Sequence, residues 1–130
     1  MRKPVIAGNW KMYKTGRETA VFFAQFAPLV ASAKHAEVVI CPPFVNVAIA
    51  VELAKPTDIE IGGQDVFWLK EGAYTGEVSA PMLAAVGCRW VIVGHSERRR
   101  YFSETEETVF KKTVAALDAG LKPIVASARD

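Results

Sequence analysis

Short runs rich in β-branched residues alternate with helix-forming segments along the chain, and this alternation restricts the fold more than any other feature. Five such runs are nearly continuous in apolar residues, at 4–9, 37–41, 58–64, 89–94 and 121–125. Strands of this kind are typical of a sheet covered on both faces, and strand–helix alternation is typical of parallel strands joined by crossovers. The pattern predicts an α/β protein with a parallel sheet, made of four βα units and a fifth strand.

The segments between these runs carry signals for helix starts and buried helix faces. Thr15 and Glu18 have the spacing of a capping box, and so do Ser103 and Glu106. Apolar residues at helical spacing then predict the buried faces of the first and last helices. These are Phe22, Phe26, Leu29 and Val30 in the first helix, and Phe110, Val114 and Leu117 in the last.

Two architectures share this order of elements. One is an open, doubly wound sheet of the flavodoxin-like type, for which four complete βα units suffice. The other is a (β/α)8 barrel, of which four units are half. No linker, repeat or break in composition divides the chain. Residues 1–130 are therefore predicted to form a single domain.

Composition and charge exclude several classes of protein. The 130 residues are 51% hydrophobic and 23% charged, with a net charge of +2, which is typical of a globular domain. The charges are interspersed, and no apolar run approaches the roughly 20 residues of a membrane span, so we expect neither a nucleic-acid nor a membrane partner. Cys41 and Cys88 lack metal-ligand spacing and lie in apolar surroundings. We expect two buried free thiols in a cytoplasmic protein.

Polar side chains cluster where the predicted strands end, which is where parallel α/β folds bind ligands. Three of the strands are followed by such residues: Asn9 and Lys11, Gln64 and Asp65, and His95. For Lys11 the simplest interpretation of its position is a lysine that reaches solvent at a strand terminus. The ordinary interpretation of His95 is a histidine that caps a helix. It precedes a predicted helical turn, however, whose free amides and positive dipole end disfavour the imidazolium form. A neutral imidazole beside a lysine cation can polarise a carbonyl oxygen.

Other motifs are absent or have ordinary structural explanations. The chain contains no GxGxxG, Walker, GxSxG or HExxH motif. The acidic residues Glu104, Glu106 and Glu107 are predicted to be exposed on helix faces or at caps. Trp68 and Tyr74 lie in a long polar loop and match no core face. Their loop is therefore a candidate for partner contact.

Three motifs together resemble triosephosphate isomerase: AGNWKM at 7–12, GAYTGE at 72–77 and GHSERR at 94–99. They occur in the family's order and spacing, and the similarity runs from Lys3 to about Val125. The resemblance implies a partial TIM (β/α)8 barrel that carries strands 1–5 of eight. It also implies a glycolytic and gluconeogenic isomerase that interconverts dihydroxyacetone phosphate and glyceraldehyde 3-phosphate through an enediolate, with no cofactor and no metal.

The resemblance also implies roles for individual residues. Asn9 and Lys11 are expected to bind the phosphorylated triose, and Lys11 is expected to balance its negative charge. His95 is expected to be the neutral electrophile at the substrate oxygens. Ser96 is expected to support His95, and Glu97 to be the charge partner of Lys11.

Two further implications concern assembly and completeness. The loop around Tyr74, Thr75 and Gly76 resembles the family's dimer loop, which implies a homodimer and accounts for the aromatic residues there. Family members run to roughly 250 residues, the usual size of the barrel. The family's glutamate base, lid and phosphate-binding loops have no counterpart in these 130 residues.

The last five residues, 126–130, depart from the Cys-Val-Gly-Glu with which the family usually continues. Deleting one base from codons for Cys-Val-Gly-Glu-Arg gives Ala-Ser-Ala-Arg-Asp, which predicts a frameshift; a designed half-barrel is the alternative. Three functional hypotheses follow. They are an isomerase half, a catalytically inactive βα fragment that folds only by association, and a flavodoxin-like binding module.

Overall fold

The computed structural model describes residues 3–126. Within that range five parallel strands form one sheet in the order β1-β2-β3-β4-β5. Their bounds are β1 (Val5–Asn9), β2 (Glu37–Cys41), β3 (Glu60–Gly63), β4 (Trp90–Val93) and β5 (Lys122–Val125). The predicted α/β class is confirmed. Because each strand lies beside the preceding one, the order is that of a barrel, whereas a doubly wound sheet reverses direction after its first strands.

Helices follow the strands along the chain. They are α1 (Gly16–Val30), α2 (Val47–Ala54), α3 (Ala80–Val86), α4 (Ser96–Tyr101) and α5 (Glu106–Asp118), with a 3-10 turn at Phe44–Asn46 before α2. The capping box that begins α1 is confirmed. Thr15 Oγ1 accepts a hydrogen bond from the Glu18 amide at 3.3 Å, and Glu18 Oε1 accepts one from the Thr15 amide at 2.9 Å.

The sheet is buried on both faces at its centre. On the outer face, Ile40, Ile61 and Val91 pack with the helices around Leu83, which is fully buried. On the inner face a second apolar cluster forms from Val39, Cys41, Trp90 and Ile92, with Ile124 packed against it. The apolar runs of the sequence therefore correspond to strands with two covered faces.

The sheet is curled. Lys122 Nζ on β5 lies 3.8 Å from Glu37 Oε1 on β2. In a flat sheet these two strands lie three spacings of about 4.8 Å apart. The two side chains therefore meet across the inner face because the sheet curls, as it does in a partial barrel. Together they cover the inner cluster.

The predicted buried face of α5 is wrong. Phe110, Val114 and Leu117 are 68%, 40% and 59% exposed. The buried positions of the helix are Val109, Lys112 and Ala116. The spacing of apolar residues predicted the wrong face because the face that is buried contains a lysine, Lys112, between Val109 and Ala116.

Two smaller expectations also need correction. The capping box of α5 is formed by Thr105 and Thr108, whereas Ser103 lies in a left-handed turn with a φ of 58°. On the buried face of α1, Phe22, Phe26 and Val30 are partly buried as predicted, but Leu29 is 78% exposed, and the buried residues of the helix are Thr19 and Phe23.

The two thiols behave as predicted. Cys41 and Cys88 are free and buried, and burial raises the pKa of Cys41 to about 12 and that of Cys88 to about 11. No helix within residues 3–126 is long and apolar enough to cross a membrane. Of the divergent tail, residues 127–130 lie outside the described range.

Candidate functional site

A cavity of about 400 Å³ lies at the carboxyl ends of the strands. It brings together five of the predicted site residues, Asn9, Lys11, Gly76, His95 and Glu97. Ser96, Tyr74 and Thr75 are not among its lining residues. A larger cavity of about 630 Å³ lies between the carboxyl-terminal ends of α1 and α2. It contains none of the predicted residues, so the smaller cavity is the candidate site.

Lys11 is held in an unusual backbone conformation beside this cavity. Its φ of 56° is left-handed, and its amide donates a 2.9 Å hydrogen bond to Asn9 Oδ1. Its Nζ lies 2.8 Å from Glu97 Oε2. The hydrogen bond to Glu97 raises the pKa of Lys11, and the same bond lowers the pKa of Glu97. The ion pair therefore joins the β1–α1 loop to α4 with both groups charged.

His95 occupies the N-cap of α4. Its Nδ1 accepts a 3.1 Å hydrogen bond from the Glu97 amide. In a neutral imidazole one nitrogen donates and the other accepts, so this bond leaves the proton on Nε2. The preceding Gly94 has a φ of 73°, and a Cβ there would lie 2.8 Å from Val109 Cγ2. The sharp turn that presents His95 therefore requires glycine.

A buried charge cluster supports the site from the α5 side. Lys112 Nζ lies 2.9 Å from both Asp65 Oδ1 and Glu104 Oε2, and its side chain is only 6% exposed. Thr108 donates a hydrogen bond to Glu104 Oε1, and Arg98 Nε lies 3.0 Å from Asp65 Oδ2. Because Asp65 and Arg98 also line the cavity, these five residues, the Lys112 cluster, connect α5 to the site.

The sequence reasoning missed this cluster. Glu104 was expected to be exposed, but its side chain is 4% exposed. Burial alone raises the pKa of Glu104, yet hydrogen bonds from Thr108 and Lys112 outweigh it and hold the pKa below its usual value. The available signal was Lys112 itself, three residues after Val109 and four before Ala116 on one helix face.

Gln64 is a second residue whose role the sequence did not indicate. Its Nε2 donates hydrogen bonds of 2.9 Å to the carbonyl of Lys11 and of 2.9 Å to the carbonyl of Cys41. One side-chain amide therefore joins the loop after β1 to the end of β2, from a position just after β3.

The loop that precedes α3 contains a small aromatic cluster. The Phe67 ring lies 4.2 Å from that of Trp68 and 4.5 Å from that of Tyr74, measured between centroids. Tyr74 nevertheless remains 45% exposed. Trp68 and Tyr74, which matched no core face, thus each pack on Phe67. A partner contact through Tyr74, Thr75 and Gly76 stays a prediction.

The site is built from hydrogen-bonding and charged groups. In the described part of the chain, no group of three or more His, Cys, Asp or Glu side chains is arranged to hold a metal ion. Beside the carboxylates of Asp65, Glu77 and Glu97, the cavity is lined by hydrogen-bond donors of Asn9, Lys11, Gln64, His95 and Arg98. Such groups bind anionic oxygen and polarise carbonyls.

The model of the family described as triosephosphate isomerase matches residues 4–128. The chain belongs to the triosephosphate isomerase family. It is 63% identical to the triosephosphate isomerase of Solibacter usitatus and 55% identical to that of Moorella thermoacetica, each over 125 residues. Both alignments cover 96% of this chain and 50% of the relative.

A solved structure supports the same assignment. The chain is similar to the crystal structure of triosephosphate isomerase from Bartonella henselae, with a TM-score of 0.89 and 37% identity. That match covers 95% of this chain and 51% of the other. The predicted partial TIM barrel is confirmed, and the chain spans about half the length of the curated relatives it matches.

Proposed function

We propose that this chain carries the electrophilic half of a triosephosphate isomerase active site. The half consists of the groups that bind the phosphorylated triose and stabilise its enediolate. The observation that carries the proposal is the Lys11–Glu97 ion pair of 2.8 Å, formed next to a histidine whose Nδ1 accepts from the backbone at 3.1 Å. All three residues line one cavity.

The chemistry follows from the charges that develop in the reaction. Removing a proton from the carbon beside a carbonyl places negative charge on the carbonyl oxygen. His95, with its proton on Nε2, donates to that oxygen, and Lys11 offers a fixed positive charge to the phosphate and the enediolate. Asn9 binds the substrate through its amide. Donors positioned in advance for a developing charge are the largest single contribution in many enzymes.

The reaction also needs a base, and the carboxylates of this cavity suit that task poorly. Glu97 is paired with Lys11, Asp65 is paired with Arg98 and Lys112, and the third carboxylate, Glu77, is exposed to solvent on the loop before α3. The family resemblance assigns the base to a glutamate outside these 130 residues. A positioned general base typically contributes about 10²–10⁴-fold, so we expect the chain alone to have negligible activity.

The remaining functional expectations belong to the same proposal. We propose a homodimer formed through Tyr74, Thr75 and Gly76, a triose phosphate substrate, and a glycolytic role in the cytoplasm. The exposure of this loop supports the dimer, since Tyr74 is a 45% exposed aromatic residue and aromatic residues are enriched in interfaces.

A chimera tests the proposal. Residues 1–125 are joined to the remaining half of the Solibacter usitatus relative, the 63% identical one, and assayed with both triose phosphates. We expect an active chimera, and inactivation by Lys11→Met and by His95→Asn, which keeps an N-cap residue. Lys14→Met and His35→Asn are the matched controls, because Lys14 shares the left-handed conformation and His35 is exposed.

The same experiment tests the alternative, in which the chain is a catalytically inactive fragment. An inactive chimera that folds cooperatively would favour the catalytically inactive fragment. An active chimera that tolerates His95→Asn or Lys11→Met would contradict the roles proposed for these residues.

A further inference from the structure

Two of the non-glycine residues with positive φ are lysines in the loop after β1. Lys11 has a φ of 56° and Lys14 one of 79°. A left-handed conformation is unfavourable for a residue with a Cβ, and it persists only where the surroundings fix it. Each lysine therefore needs a partner that holds its backbone.

The backbone of each lysine is bound by the same kind of hydrogen bond, from a side-chain amide to its carbonyl. Asn46 Nδ2 donates a 2.8 Å hydrogen bond to the carbonyl of Lys14, and Gln64 Nε2 donates one of 2.9 Å to the carbonyl of Lys11. In each case a side-chain amide from another βα unit, the second for Asn46 and the third for Gln64, binds the carbonyl of a left-handed lysine. The two lysines thus form a natural pair for comparison.

The two side chains end in different places. Lys14 Nζ lies 5.5 Å from the centroid of the Trp10 ring and 5.7 Å from that of Phe22, against α1. Lys11 Nζ reaches Glu97 at 2.8 Å in the candidate site. Fixing the backbone of Lys11 therefore has a consequence for the site that fixing Lys14 lacks.

We propose that Gln64 is a positioning residue that sets the left-handed conformation of Lys11 and thereby directs its ammonium at Glu97 and the substrate. The proposal rests on the proposed function, because Lys11 is the group that it positions. Asn9 Oδ1 accepts from the Lys11 amide at 2.9 Å, so both peptide groups around Lys11 are bound. Gln64 also binds the carbonyl of Cys41 at 2.9 Å, and that anchors the loop to the buried end of β2.

This arrangement makes Gln64 more than a stabilising contact. If the Gln64 amide had only a structural role, its removal would lower the stability of the fold. The Lys11–Glu97 ion pair would then be unchanged in the molecules that stay folded. A positioning amide would also release the ammonium from the carboxylate. The ionisation of Glu97 distinguishes these cases, because Lys11 lowers its pKa.

The test is an NMR titration of the Glu97 carboxyl carbon in the full 130-residue chain. We compare the unaltered chain with Gln64→Met, which keeps the length of the side chain but has no donor, and with Asn46→Leu as the matched control. We expect the pKa of Glu97 to be below its usual value in the unaltered chain and in Asn46→Leu, and to rise in Gln64→Met. Gln64→Asn, which withdraws the amide while keeping it polar, should act in the same direction if the methionine variant fails to fold.

A kinetic arm uses the chimera described above. Gln64→Met should lower kcat/KM, since a 1 Å misplacement of a catalytic group costs up to about 10²-fold, whereas Asn46→Leu should lower the thermal midpoint without this loss. A Glu97 pKa that is unchanged in Gln64→Met, or ordinary in the unaltered chain, would overturn the proposal. If the unaltered chimera is inactive, the proposed function fails while the titration still decides the role of Gln64.

Discussion

The middle of the sheet and its two edges contrast sharply. β4 is buried at every position, and β2 and β3 are buried at every position but the first. No residue of β1 or β5 is buried. The edges are where a closed barrel continues to its next strands. The difference shows that three central strands and their helices form the core, and that the outer strands depend on neighbours.

The inner face is better covered than a flat half-barrel would leave it. Val39 and Ile92 are 0% and 6% exposed, because the curl of the sheet packs them against each other and Trp90. On β1, by contrast, Val5 and Ile6 are 40% and 58% exposed. Surface that invites association is therefore concentrated at the edges.

The ion pairs of the chain also differ between buried and exposed positions. Lys112 is buried between two carboxylates at 2.9 Å, whereas Lys34 and Asp58 form a shorter contact of 2.6 Å with side chains that are 71% and 84% exposed. Distance alone would rank the exposed pair first. Burial reverses that order, because leaving a charge unpaired is costly only where water cannot solvate it.

The largest predicted effect comes from removing the buried ammonium. Lys112→Met leaves Asp65 and Glu104 without their shared cation, and breaking a buried pair in this way costs about 3–5 kcal/mol. Lys34→Met at the exposed pair should cost at most about 1 kcal/mol. Urea unfolding of the two variants checks this. Equal losses would mean that water reaches the Lys112 cluster.

The next prediction compares two leucines. Leu83 is 0% exposed under the sheet and Leu117 is 59% exposed on α5. Leu83→Ala should destabilise the chain by about 2–5 kcal/mol, and Leu117→Ala should stay within about 0.5 kcal/mol. Thermal melts at several protein concentrations measure both. A large loss for Leu117→Ala, dependent on concentration, would show that the exposed face of α5 is covered by association.

Local signals made the order of elements predictable. The capping pair of Thr15 and Glu18 and the apolar runs act within a few residues, so they can be recognised without knowing the fold. The faces of α5 were not predictable in that way. The spacing of Lys112 places it on one helix face with Val109 and Ala116, but its burial depends on Asp65, 47 residues away in sequence, and local spacing does not reveal such a partner.

In the candidate site, too, some residues were predictable from the sequence and others were not. Lys11 and His95 follow strands directly, and the carboxyl ends of parallel strands converge, so their proximity follows from sequence. The contribution of Gln64 does not, since it depends on the left-handed backbone of Lys11 and on the carbonyl of Cys41 at 2.9 Å. Backbone carbonyls are identical at every position, so the sequence does not show which ones a side chain will bind.

The smallest predicted effect is on the free energy of unfolding at acid pH. The pKa of Glu104 is held below its ordinary value of 4.5, so the folded chain releases that proton more readily than the unfolded chain does. Its contribution is present above pH 4.5 and is lost as the pH falls through the lowered value. The loss should be smaller than that in Lys112→Met, because a protonated carboxyl still forms hydrogen bonds.

Glu104→Gln isolates this contribution, with Asp58→Asn as the control. The hydrogen bond from Lys34 lowers the pKa of Asp58 as well, but that pair is exposed and is screened in about 1 M salt, where the Debye length is about 3 Å. Urea midpoints measured in such salt from neutral pH to about pH 3 should show the difference between the unaltered chain and Glu104→Gln shrinking as the pH falls. The curves of the unaltered chain and Asp58→Asn should stay parallel. A constant difference for Glu104→Gln would mean that this carboxylate titrates alike in the folded and unfolded chain, and the contrast between buried and exposed pairs would then rest on Lys112 alone.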